Sequence, residues 1–124
     1  VIDCIASSHS PNRFDDKDKD FYHAEAGVIS LETAFAATYT VLSKNNFSMD
    51  SILNLFSLHP SKIMNLELCD INIGSSAELV VIDPNKKWVV TGRDLYSKSH
   101  NTPFLNKELK GKVEITINKN FLFG

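Results

Sequence analysis

At 124 residues the chain is long enough for one modest domain with its own core. Its 43% apolar and 23% charged residues are ordinary for a globular protein, and a net charge of −2 argues against long-range attraction to nucleic acid or an anionic membrane surface. The longest apolar runs fall far short of the roughly 20 residues that span a bilayer, and no basic segment leading into an apolar stretch is read as a signal peptide.

The chain opens inside an apolar run, "VIDCIA" at 1–6, with no initiator Met. The run reads as a short buried strand, and its place suggests a piece of something longer. It stops abruptly at Ser7-Ser8-His9-Ser10-Pro11-Asn12. A buried strand ending in small polar groups and a histidine is a common setting for a site, so His9 is a candidate ligand or substrate contact. A serine nucleophile is not supported: neighbours in sequence point in different directions, triads assemble in space, and no G-x-S-x-G elbow is present. "DDKDKD" at 15–20 alternates charge without an apolar anchor and lacks the Gly a calcium loop needs, so it reads as a solvated surface loop.

Residues 27–44 read as a helix, with Val28, Leu31, Phe35, Tyr39 and Leu42 at helical spacing. "KNNF" breaks it. Ser48 is placed to cap a second helix through "MDSILNLFS", and His59-Pro60 restarts a short third, with Met64 and Leu66 as its buried end. After Gly74 the period changes. "AELVVIDP" at 77–84 is strand-like, Pro84-Asn85 reads as a turn, and "KWVVTG" at 87–92 as the hairpin partner. "GKVEITIN" at 111–118 alternates Val113, Ile115 and Ile117 inward. The long loop 93–110 is of a kind that is functional, a docking element, or disordered. Tyr96, Phe104 and Leu105 would either dock a partner or cover a junction.

Cys4 and Cys69 form no C-x-x-C pair and read as buried free thiols, in keeping with a reducing cytoplasm. Of the four histidines, none forms H-x-H or H-E-x-x-H; His59 reads as a helix start and His100 as an exposed loop residue. No Gly-rich phosphate loop exists.

Five blocks together resemble one family. "IASSHSPN" resembles the strand-8 motif I-A-T-D-H-A-P-H of dihydroorotases, members of the amidohydrolase superfamily. "AEAGVISLETAF" is similar to A-P-x-G-I-x-G-L-E-T-A, and "LHPSKIMNL" to N-P-A-K-I-F-G-L. "IGSSAELVVIDPNKKWVV" resembles G-x-x-A-D-L-V-V-F-D-P, and "SKSHNTPFLNKELKGKV" resembles S-K-S-x-N-T-P-F-x-G-x-x-L-K-G-K-V. Any one block is weak evidence; five in family order are strong.

The resemblance implies an α/β fold: the C-terminal part of a (β/α)₈ barrel, with strand 8 and the following helices at 1–66. The C-terminal half of a small β-sandwich would follow at 67–124. It implies a zinc-dependent cyclic amide hydrolase of pyrimidine biosynthesis, interconverting N-carbamoyl-aspartate and dihydroorotate, with its site at the C-terminal ends of the strands. Ser8 falls on the family's catalytic, zinc-ligating Asp, and Asn12 on its substrate-contacting His. His9 keeps its family residue, and Ala26 and Gly27 align with a pair that contacts substrate through backbone. A neutral hydroxyl replaces neither a base nor a strong zinc ligand, so the resemblance implies a catalytically impaired chain that binds no zinc alone. An active full-length enzyme and a structural partner of aspartate transcarbamoylase are the alternatives. Association into homo-oligomers is expected from the apolar faces that residues 1–66 leave bare without the other seven barrel strands.

Overall fold

The computed structural model describes residues 2–68, 70–119 and 121–124; the expectation for Cys69 lies outside these. Four helices precede a three-stranded sheet: α1 (Phe14–Lys17), α2 (Ala34–Lys44), α3 (Met49–Phe56), α4 (Leu58–Ile63), β1 (Glu78–Val89), β2 (Glu108–Asn118) and β3 (Phe121–Phe123). The sheet is antiparallel in the order β1-β2-β3. No helix of the described residues is long and apolar enough to cross a membrane.

Residues 2–6 do not form the expected strand. A strand exists as a member of a ladder, and this segment meets helices instead: Ile5 N–H donates to the Leu55 carbonyl, 3.0 Å, and His59 Nδ1 meets the Asp3 carbonyl at 2.9 Å. The helix expected from residue 27 begins at Ala34. Residues 28–33 share the apolar spacing, but Gly27 has φ +97° and Ile29 N–H is drawn sideways to the Asn101 carbonyl, 2.9 Å. Ser48 caps α3 as expected, accepting from the Ser51 N–H. Met64 and Leu66 are exposed rather than buried, at 68% and 61%. Asn65, at φ +52°, turns the chain just past α4 and carries these side chains off the core.

The expected hairpin at 77–92 is instead one bent strand. Asp83 pairs with Lys112 and Lys87 with Lys110, so Pro84, Asn85 and Lys86 all stand opposite Gly111. The Asp83 carboxylate accepts the N–H groups of Asn85 and Lys86, 2.9 and 3.2 Å, and closes this wide bulge from within. The disrupted ladder finds other partners. Trp88 Nε1–H donates to the Gly111 carbonyl at 3.1 Å, and Lys110 N–H donates to Thr40 Oγ1 on α2 at 2.8 Å. A second irregularity leaves Glu114 surplus between Val113 and Ile115, so the strict inward alternation expected there fails and Val113 is 38% exposed.

The core lies where α2 crosses β2. Ile29 and Ala36 pack with Val90, Leu95 and Leu109, flanked by Trp88 and Phe104. Phe35 stacks on Tyr39 and leans on Phe56 of α3, which joins the small helices to this cluster. Residues from both halves of the sequence therefore share one core. Val80 of β1 and Phe121, Leu122 and Phe123 of β3 are exposed.

Candidate functional site

The sequence-derived site residues fall on two segments, 7–12 and 24–31, that the fold lays side by side. Ser10 N–H donates to the Val28 carbonyl at 2.9 Å, and Ser30 Oγ–H donates to the Ser7 carbonyl at 2.6 Å. His9 Nδ1 accepts the N–H of Ser30 at 3.1 Å and that of Leu31 at 3.3 Å. A ring nitrogen that accepts carries no proton, so the neutral imidazole holds its proton on Nε2 and is a donor there. Asn12 Nδ2–H donates to the Ala26 carbonyl at 3.0 Å. His9, Asn12, Ala26 and Gly27 are thus brought together. Ser8 sits among them, exposed and in the left-handed region at φ +49°.

Three residues hold this arrangement without having been singled out from the sequence. Lys17 reaches from α1 to the carbonyls of Glu25 and Gly27, and Asn101 Nδ2–H donates to the Gly27 carbonyl at 3.1 Å. With the carbonyls of Ala26 and Gly27 turned inward, their N–H groups have no acceptor among the described residues. Glu32 fixes the loop that carries Asn101: its Oε1 accepts from Tyr96 N–H and Ser97 N–H at 3.0 and 3.2 Å, while Oε2 is buried without a partner among the described residues. Asn101 and Glu32 lie inside motif blocks and were legible there as motif letters; Lys17 belongs to a charge run that composition alone marks as solvated.

Two clefts adjoin these segments. One, of about 830 Å³, lies between residues 11–17 and 97–105. The other, of about 530 Å³, lies beneath Glu32, with Trp88, Asp94 and Lys112 in its wall. There Thr91 and Asp94 close a capping box, with Thr91 N–H and Oγ–H both donating to Asp94 Oδ2 at 2.9 and 2.7 Å. Burial pushes the Asp94 carboxyl up, but the Thr91 hydrogen bonds and the Lys112 ammonium, 3.6 Å away, outweigh it and hold it below its ordinary value. A folded-state pKa below the unfolded one stabilises the fold above the unfolded carboxylate value, about 3.9, and that contribution is lost as pH falls through the folded value. Asp94→Asn is therefore expected to cost about 1 kcal/mol at pH 7 and nothing once the wild-type carboxyl is protonated, as read from urea unfolding across acid pH.

The residues present do not fit a zinc ion by themselves. Ser8 offers a neutral hydroxyl, the His9 Nδ1 lone pair is engaged by two N–H groups, and no three His, Cys, Asp or Glu side chains cluster among the described residues. What the arrangement offers is donors: the His9 Nε2–H and the free N–H groups of Ala26 and Gly27. Such a set suits binding of a negatively charged or carbonyl oxygen.

No family model matches the chain. The chain is 40% identical over 117 residues to the dihydroorotase of Elusimicrobium minutum, covering 94% of this chain and 27% of the relative. To the dihydroorotase of Caldicellulosiruptor saccharolyticus it is 41% identical over 118 residues, again 94% and 27%. To that of Aquifex aeolicus it is 35% identical over 117 residues, 94% and 28%. The chain thus spans little more than a quarter of the length of these curated relatives. Among solved structures a D-hydantoinase superposes with a TM-score of 0.72 at 19% identity, over 87% of this chain and 24% of the other. The fold is that of a hydantoinase segment, in agreement with the amidohydrolase architecture expected from the motifs.

Proposed function

Since this chain is a relative of the dihydroorotases along 94% of its length, we propose that it supplies one wall of the substrate site in a dihydroorotase-like protein of pyrimidine biosynthesis whose catalytic carboxylate has been replaced. The wall is the pair of segments 7–12 and 24–31. Its substrate class is the family's, dihydroorotate and N-carbamoyl-aspartate, both of which present carboxylate and amide oxygens to the donors of His9, Ala26 and Gly27.

The observation that carries the loss of chemistry is Ser8. It is exposed, in the left-handed region at φ +49°, at the position where the family motif has its Asp. A serine hydroxyl neither takes a proton near neutral pH nor ligates zinc strongly. Removing a positioned base costs about 10²–10⁴ in rate. His9 is unsuited to replace it, since its free nitrogen is a protonated donor. Asn12 still forms hydrogen bonds but brings no charge.

The same replacement at Ser8 carries a second reading, in which the chain serves in the cytoplasm as a structural partner of aspartate transcarbamoylase.

The test is zinc content and dihydroorotase turnover of the full-length parent, wild type beside Ser8→Asp/Asn12→His. The expected result is turnover at least about 10²-fold higher in the double variant, with no turnover by the 124-residue chain alone. Zinc-dependent turnover in the wild type equal to that of the variant would sink the proposal. Neither protein turning over would leave the assembly reading, to be tested by co-purification with transcarbamoylase.

A further inference from the structure

We propose that Lys17, Asn12 and Asn101 are positioning residues that orient three consecutive peptide groups of the 24–31 segment, leaving the N–H groups of Ala26, Gly27 and Val28 for substrate oxygens. The role rests on the reading of that segment as a wall of the substrate site, and names the side chains that set its donors.

Every peptide bond of the described residues is trans. In a trans peptide group the N–H points away from the carbonyl of the preceding residue. A side chain that holds one carbonyl therefore also aims the next N–H. Lys17 Nζ donates to the Glu25 carbonyl, which aims the Ala26 N–H. Asn12 Nδ2–H donates to the Ala26 carbonyl at 3.0 Å, which aims the Gly27 N–H. Asn101 Nδ2–H and Lys17 Nζ both donate to the Gly27 carbonyl, at 3.1 and 3.2 Å, which aims the Val28 N–H. None of these three N–H groups has an acceptor among the described residues.

The local chain does not impose this orientation. Gly27, at φ +97°, is the residue type that crosses most freely between backbone regions, so the peptide groups on either side of it turn easily unless held. The holders come from three separate places and are themselves anchored. Glu25 N–H donates to the Asp16 carbonyl of α1 at 3.0 Å, and the Asn101 carbonyl accepts the N–H of buried Ile29 at 2.9 Å. Lys17 stands in a run of alternating charge, yet it is half-buried and pairs with no carboxylate among the described residues, while its neighbour Lys19 pairs with Asp16. Its ammonium is spent on two backbone carbonyls instead. Asn12, expected from the sequence to touch substrate, has its amide nitrogen committed to Ala26 and acts through the backbone.

The test is calorimetric titration of the full-length parent with dihydroorotate, wild type beside Lys17→Met, Lys17→Arg and Asn101→Ala, with the thermal midpoint of each. Lys17→Met and Asn101→Ala are each expected to weaken binding about tenfold, with midpoints within about 2 °C of wild type. Lys17→Arg should recover most of the affinity, since a guanidinium still donates to both carbonyls. Asn101 carries no charge, so a matching loss there separates positioning from direct attraction between Lys17 and an anionic substrate. In the ¹⁵N-labelled chain, the amide shifts caused by both variants should concentrate at Ala26, Gly27 and Val28. Unchanged affinity in both variants, a loss in Lys17→Met alone, or losses that follow a fall in the midpoint would overturn the positioning role. A wild-type parent that binds no dihydroorotate would overturn the substrate-wall reading itself, and the role with it.

Discussion

Gly27→Ala is expected to lower the stability of the chain by about 3 kcal/mol and to pull segments 7–12 and 24–31 apart. Two costs combine. At φ +97° any Cβ is strained, by about 1–2 kcal/mol. The added Cβ would also stand 2.6 Å from both Cβ and Oγ of Ser10. Rotating the serine frees Oγ but not Cβ, so the backbone of one segment must retreat. The hydrogen bonds that retreat would break are those from Ser10 N–H to Val28 and from the Ser30 hydroxyl to Ser7. Thermal unfolding should show a fall of about 10 °C, with amide shifts concentrated at 7–12 and 26–31. The double variant Gly27→Ala/Ser10→Gly separates the terms. It should recover the contact cost and keep the backbone cost, about half the loss. Full loss in both would show that the close approach to Ser10 contributes nothing.

Gly111→Ala should cost as much, about 3 kcal/mol, through different neighbours. Gly111 is buried opposite the β1 bulge at φ +83°, and a Cβ there would meet Tyr39 Cδ1 at 2.8 Å and Phe35 Cε1 at 3.2 Å. Those rings stack at 5.5 Å and form the seat of α2 on β2. The methyl group must displace the stack or open the sheet. Near-UV circular dichroism should report altered tyrosine packing, and urea unfolding the lost stability. A variant as stable as wild type would mean that α2 does not rest on this glycine.

Much of this was readable in the sequence wherever a feature is local. The Ser48 cap, the restart at His59-Pro60 and the strand at 111–118 each depend on a few adjacent residues. The misread features depend on distant partners. Val28 and Leu31 keep helical spacing, but the Asn101 carbonyl takes the Ile29 N–H and delays the helix to Ala34. Pro84-Asn85 has the composition of a hairpin turn; only Gly111, more than twenty residues on, makes it a bulge. The candidate site follows the same division. Motif letters located His9, Asn12, Ala26 and Gly27, while the tautomer of His9 and the role of Glu32 depend on backbone N–H groups contributed from elsewhere in the chain.

The bulge in β1 has a consequence for how this sheet can misassemble. A regular antiparallel pair can slide by two residues and still present the same side chains to the same face. Here three residues of one strand face a single glycine, and the surplus is tied off by the Asp83 carboxylate. A slipped pairing would bring the loop of Pro84, Asn85 and Lys86 against a residue with a side chain. It would also strand the Trp88 indole N–H that now finds the Gly111 carbonyl. The irregularity therefore acts as a key: β1 and β2 fit in one alignment, and neighbouring copies offering the same exposed strands cannot exchange them in a shifted one.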